Sequence, residues 1–332
     1  MNKKITLIFL LFVLLILSSC SKFHNNQTVV DGIIISYLSS NDKEANISFY
    51  NLDNKESSSI SVGKTSDIFW ACTDVYENGN IVALNDDRII LIDKNGFAKH
   101  KTISDRIVAV KYLCDSYLVI SQYEEKCVAR IWDLNFSEEI YSKELKGHYS
   151  SLCKSQNSLI ISTYDEQIQE TYLHILNYKN TKHDFICKTF KIFDFAAHIV
   201  LTEMDNRIFF CVRKLSSLSS NEQLNELFEL IDINNVDLNF LYKFDKQPIE
   251  IFTILNSKLG IVTDMNASVI YIYDTIEKKV SLLSNLKNES IKGVYNLKSQ
   301  LIFISNKAIY ILEDNSIKKI HTIKSPLENQ YN

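Results

Sequence analysis

The chain has 332 residues, 46% of them hydrophobic, with 36 Lys and Arg against 40 Asp and Glu for a formal net charge of −4 at pH 7. No basic excess is present to neutralise a phosphate backbone, so nucleic acid is not an expected partner. Two prolines and seven glycines leave no Pro- or Gly-rich linker, which argues against separate domains.

The N-terminus reads in three zones: basic Lys3 and Lys4, an uncharged apolar run from Ile5 to Leu17, then Ser18 and Ser19 ahead of Cys20. This is the pattern of an export signal. A membrane-spanning helix takes about 20 apolar residues, more than this run supplies. The string LSSC, Leu17 to Cys20, resembles the bacterial lipobox. That resemblance implies cleavage before Cys20 and attachment to its sulfur of a diacylglycerol, with acyl chains such as palmitate. Several acyl chains together anchor a protein firmly. Ser21, by the sorting rule of enteric lipoproteins, points to the outer membrane or cell surface rather than the inner membrane.

Six further cysteines, Cys72, Cys114, Cys127, Cys153, Cys187 and Cys211, make an even number in an exported protein, which permits disulfides without revealing any connectivity. No CxxC pair occurs and no cysteines cluster with histidines at zinc spacing, so buried free thiols and no metal are expected.

From residue 31 onward one unit recurs. Short β-rich runs end in an acidic or amide residue that starts a turn: ISFYN, IILID, ARIWD, LHILN, FELID, IYIYD and IYILE, ending at Asn51, Asp93, Asp133, Asn177, Asp232, Asp274 and Glu313. The spacing is near forty residues except between Asn177 and Asp232, which are 55 apart. Two and four positions before each marker the residue is always apolar, from Phe49 and Ile47 to Ile311 and Ile309. Alternation puts these on one face of a strand. The position just before the marker, Tyr50 to Leu312, is apolar too and lies on the other face. Strands covered on both sides fit stacked blades, for which a β-sandwich offers no forty-residue period. With a β-rich segment before each run (NIVAL, YLVIS, SLIIS) and others around it, each unit holds four strands.

Four strands per forty residues resembles the WD-repeat propellers. The best match is the unit with Trp132 and Asp133, followed by Gly147 and His148 in the place of the family's GH pair. In that family a histidine, a hydroxyl residue, an aspartate and a tryptophan form a hydrogen-bonded tetrad. The resemblance puts His148, Ser162 and Asp165 in three of these places, with Leu176 in the tryptophan's. No other unit keeps the GH pair, so the chain reads as a divergent propeller. The expected architecture is therefore all-β: residues 1–19 a signal peptide, 20–30 a lipidated tether, and 31–325 a β-propeller of seven four-stranded blades, with six or eight as alternatives.

Motifs of chemistry are sparse. The seven histidines show no i, i+4 pair, and there is no GxSxG elbow, Gly-rich phosphate loop or DxDxDG calcium loop. No cofactor and no catalysis are expected. Trp70 and Tyr112 fall in segments expected to be innermost strands, where they could face a central channel as a ligand platform, core packing being the alternative. His148 and Asp165 are the candidates in the best-matched unit. The long interval contains an extra polar segment, Leu215 to Leu224 (LSSLSSNEQL), with Ser216, Asn221 and Glu222 as candidate contacts. It joins the second and third strands of its unit, which in propellers puts it on the face where ligands usually bind.

The expected function is docking of an envelope protein or peptide by a membrane-tethered, non-catalytic propeller. From Ser21 to Val30 the tether spans at most roughly 35 Å. The plan is similar to that of lipoproteins that assist outer-membrane protein assembly, a likeness carried by no motif. The alternative is a carbohydrate- or metabolite-binding lipoprotein, or an enzyme on such a ligand, using the channel mouth.

Overall fold

The computed structural model describes residues 34–324 apart from inter-strand segments that include 65–70, 179–184 and 216–223. The signal, Cys20 and the tether fall outside the described residues. Strands follow one another as antiparallel meanders. The first sheet holds β1 (Ile34–Asn41), β2 (Glu44–Asn51) and β3 (Ser57–Lys64), and the second β4 (Ala71–Tyr76), β5 (Gly79–Leu84), β6 (Arg88–Asp93) and β7 (Ala98–Thr102). The third holds β8 (Arg106–Tyr112), β9 (Ser116–Tyr123), β10 (Lys126–Asp133) and β11 (Glu139–Lys146), and the fourth β12 (His148–Lys154), β13 (Ser158–Asp165), β14 (Glu170–Tyr178) and β15 (Phe185–Phe193). The fifth holds β16 (Ala197–Met204), β17 (Arg207–Lys214), β18 (Asn225–Asp232) and β19 (Asp237–Lys243). The sixth holds β20 (Pro248–Ile254), β21 (Lys258–Thr263), β22 (Val269–Asp274) and β23 (Lys279–Asn285), and the seventh β24 (Ile291–Leu297), β25 (Gln300–Ser305), β26 (Ala308–Glu313) and β27 (Ser316–Thr322).

The chain is thus an all-β propeller with four-stranded blades, but the count differs from expectation. Six sheets have four strands and the first has three among the described residues. The strand carrying Asn51 is second in its sheet, whereas its counterparts are third.

The first strands of neighbouring sheets lie side by side, β4 by β8, β12 by β16 and β16 by β20, around a central channel. Between blades the alternating columns meet. Ala129 and Ile131 of β10 pack with Leu159, Ile161 and Leu176 of the next sheet. On its other face that sheet sends Ile160 and Leu173 against Ile199, Phe210 and Val212. Burial on both faces at about 25 cal/mol per Å² of apolar surface is what holds blade to blade. Ile231 is the exception in its column and is 55% exposed. Pairing of β18 with β19 shifts register between Leu230 and Asp232, and the bulge releases Ile231 from the face it would share.

The recurring marker also has its cause. Asn51 Oδ1 accepts from the Asp53 and Asn54 amides, Asp133 Oδ1 from Ser137 and Glu138, and Asp274 Oδ1 from Ile276 and Glu277. An Asx side chain satisfies the orphan donors of a tight turn, which is why such a residue recurs where the marker strand passes to the outermost one.

Candidate functional site

Each first strand begins, and each second strand ends, on what we term the upper face; the opposite face is the lower. The insertion 215–224 follows the end of β17 and so departs from the upper face. On that face the fourth, fifth and sixth sheets contribute His148 at the start of β12, Tyr164 near the end of β13, His198 and Arg213 as cross-strand partners on β16 and β17, and Gln247 just before β20. The ring of Tyr164 lies 4.6 Å from that of His198 and 5.6 Å from that of His148. His148 Nε2 is 3.4 Å from Glu125 on the neighbouring hairpin. Gln247, with its amide oxygen turned toward the guanidinium, accepts from Arg213 Nε at 3.0 Å and from Nη1. Burial, then the nearby Arg213 and His148, lowers the His198 pKa to about 4.

Gly147, ahead of His148, has φ +84°, and a Cβ there would collide with the Tyr164 carbonyl. Only glycine permits both the left-handed backbone and this approach. The GH pair is therefore a tight passage between β11 and β12 that leaves His148 at the rim.

Of the residues singled out in the sequence, Trp70, Ser216, Asn221 and Glu222 lie outside the described residues. Tyr112 is half-buried against the cluster between the second and third sheets, its ring 5.6 Å from Tyr117. It is a packing residue, since the described channel cavity has Lys111 rather than Tyr112 in its wall. Asp165 caps its hairpin, accepting from the Gln167 and Ile168 amides.

The WD-type tetrad does not assemble. Ser162 Oγ takes the Ser151 amide at 3.0 Å, while His148 turns to Glu125. Another polar chain occupies the interior of this sheet: Thr163 Oγ1 donates to Lys146 O at 2.5 Å and lies 2.8 Å from His174 Nε2, and His174 Nδ1 lies 2.9 Å from Thr189 Oγ1. The Thr163 proton is committed to the carbonyl, so Nε2 carries the imidazole proton and Nδ1 accepts from Thr189. Burial lowers the His174 pKa to about 4. Sequence reading missed this chain because its members are local neighbours only across three strands. A histidine in an otherwise apolar β-run was the available signal.

On the lower half of the channel a cavity of about 340 Å³ is walled by the far ends of the first strands, with Lys111, Lys154, Glu203 and Glu250 among its polar groups and Phe252 and Tyr295 among its aromatic ones. Glu250 lines the cavity and is largely enclosed by protein. Desolvation pushes its pKa up to about 7 against the pull of the Ile251 amide and Lys111. Cys153 also lines this cavity. Cys127, Cys153, Cys187 and Cys211 are free thiols, with burial pushing the pKa of Cys127 and of Cys153 up to about 12. Such thiols stay protonated and unreactive. Cys72 and Cys114 lie outside the described side chains.

No protein-family model matches the chain, and no curated protein matches it in sequence. Solved structures match it in fold. The β-propeller domain of the Trilobed protease from Pyrococcus furiosus, described as having an open velcro topology, superposes with a TM-score of 0.61 at 15% identity over 89% of this chain and 96% of that one. A functionally unknown protein from Desulfotomaculum acetoxidans superposes at 0.62 with 11% identity over 89% and 97%. A puromycin-hydrolyzing peptidase of Mycobacterium tuberculosis superposes at 0.57 with 8% identity over 90% of this chain and 54% of that one. At these identities the likeness is one of fold.

Proposed function

We propose that this protein is a lipid-anchored, non-catalytic docking module of the bacterial cell envelope, tethered through acylated Cys20, that binds a protein or peptide on the upper face of its propeller. The first sheet is read as the seventh blade of a divergent, WD-repeat-like ring. One observation carries the docking reading. Tyr123 and Ile168, at adjacent hairpin tips on the upper face, are 61% and 50% exposed. The two hairpins are joined by Gln167 Nε2 donating to Glu125 Oε1 at 3.0 Å, so the apolar tips are held beside the polar recess. Apolar anchors next to a recess with half-buried polar groups are what a protein partner engages.

The test is crosslinking in cells with mass spectrometry, comparing the intact protein with a variant lacking Leu215 to Leu224. One stoichiometric envelope partner, lost with the segment, is the expected result. No partner in either form would overturn the docking reading. Cys20→Ser is expected to abolish acyl labelling and release the protein from membranes, and unchanged membrane association would refute the anchor.

A second reading has its own observation. The channel cavity of about 340 Å³, with two lysines and two glutamates in its wall, has the size and mixed polarity of a small-ligand site. A metabolite or sugar there is the alternative cargo, and the same crosslinking result without a protein partner would turn the search to it.

A further inference from the structure

The arginines of the fifth sheet make an instructive contrast. Arg207 Nε donates to Glu229 at 2.6 Å, an ordinary paired cation at one end of β17. Arg213, at the other end, is half-buried, and among the described residues no carboxylate pairs with it; Gln247 supplies a neutral acceptor for Nε and Nη1 alone. A guanidinium carries five N–H donors in a planar fork and does not lose its charge in a protein. Desolvating it with only one amide for company costs free energy that a bound anion would recover.

The imidazole beside it can become a second donor only by taking up a proton. His198 faces Arg213 across the strand pair. Ser150 Oγ donates to Ile199 O at 2.8 Å, so its contact with His198 Nδ1 at 3.4 Å can only receive a proton, and Nε2 has no partner among the described residues. Tyr164 and His148 close the recess beyond. Two carboxylates stand nearby, Glu125 at His148 and Glu166, whose charge is felt at Tyr164. Their negative charge at the rim disfavours a group that carries two charges on one centre, as a phosphate monoester does. A planar, singly charged carboxylate can take the edge of the guanidinium fork that Gln247 leaves, and can accept from His198 Nε2 once that nitrogen takes up a proton.

We propose that Arg213, His198 and Tyr164 form a carboxylate-binding site on the upper face. This rests on the docking reading and deepens it: the group recognised is an acidic side chain or chain terminus of the docked partner, with a free small carboxylate as the other source of the same chemistry.

The experiment follows the His198 imidazole by NMR in the folded propeller at low salt while succinate, N-acetyl-tetraglutamate or sodium chloride of matched ionic strength is added. Both carboxylates are expected to shift the His198 signal saturably and to raise its titration midpoint, because an adjacent anion favours the imidazolium. Saturation by the peptide at a tenfold lower concentration would mark a docked chain as the source; equal concentrations would mark a free carboxylate. Arg213→Gln is expected to weaken both at least tenfold, and Arg213→Lys, which keeps the charge but not the fork, to weaken them severalfold while retaining the fold. Sodium chloride acting as strongly as succinate, or both variants binding as the parent does, overturns the site. A crosslinked partner retained alongside that failure would remove the carboxylate chemistry and leave docking in place.

Discussion

His321 of the last strand stacks on Tyr50 of the first sheet, ring centroids 4.4 Å apart and 27° between planes, while Tyr37 Oη lies 3.2 Å from His321 Nε2. Around them Ile35 packs with Leu297, Ile302, Ile304, Ile309 and Ile323. Among the described residues no strand is shared between the first and last sheets, so the ring closes here on side chains alone. This seam is therefore expected to be a weak point. Tyr50→Ala or His321→Ala should cost about 2–4 kcal/mol and raise cleavage by a protease near either terminus. A matching truncation at an internal interface, such as Leu176→Ala, should destabilise without exposing the termini. Limited proteolysis with denaturant melts of the variants checks both statements.

Acid should loosen the fourth sheet. His174 is 1% exposed and its folded pKa is lowered to about 4 from an ordinary 6.5. The folded state thus binds fewer protons than the unfolded between these values. Its contribution is intact above pH 6.5 and is lost as pH falls toward 4, on the order of 3 kcal/mol in total. NMR titration should find the His174 midpoint far below 6.5, and the urea midpoint of a folded His174→Gln variant should fall less steeply over the same window. A His174 midpoint at or above 6.5 would contradict the neutral Thr163–His174–Thr189 chain.

Glu250 has the opposite sign. Its folded pKa is raised to about 7 from 4.5, so the folded state holds the proton more tightly. The stability it lends is present below pH 4.5 and is lost as pH rises through 7. Glu250→Gln, which keeps the shape and removes the charge, should leave stability near pH 4 unchanged and improve it at pH 8. Denaturant midpoints at the two pH values test this, and an equal change at both would place Glu250 in bulk-like solvent.

Gly147→Ala should destabilise by about 2 kcal/mol or more, since the left-handed backbone and the collision with the Tyr164 carbonyl act together. Gly260, where a Cβ would meet the Phe252 ring, is strained by contact alone. There Phe252→Leu should relieve Gly260→Ala in the double variant, while no side-chain change rescues Gly147→Ala. Thermal melts of the four variants decide it.

Much of the fold was legible in the chain itself. The seven turn-starting markers, the alternating columns and the forty-residue period predicted strands covered on both faces, and Ala129 with Ile131, or Leu173 with Ile175, pack as that pattern requires. These features are local and repeated, so neighbouring residues report them. Ile231 escaped because a bulge in the β18–β19 pairing depends on the partner strand, and the three-stranded first sheet escaped because strand number is a matter of pairing.

The candidate site lay beyond sequence reading for a related reason. His148 was singled out, but Tyr164, His198, Arg213 and Gln247 are separated by 15 to 34 residues from one neighbour to the next and meet only because successive strands and blades bring their ends to one face. The sequence by itself determined the repeat, the β class and the turn chemistry, since each rests on residues within a few positions of one another. The tertiary structure alone decided which faces meet, that the described ring closes on Tyr50 and His321, and that among the described residues a guanidinium is left half-buried without a carboxylate. Burial and charge pairing are properties of what surrounds a group in space, and in a propeller those surroundings come from the next blade.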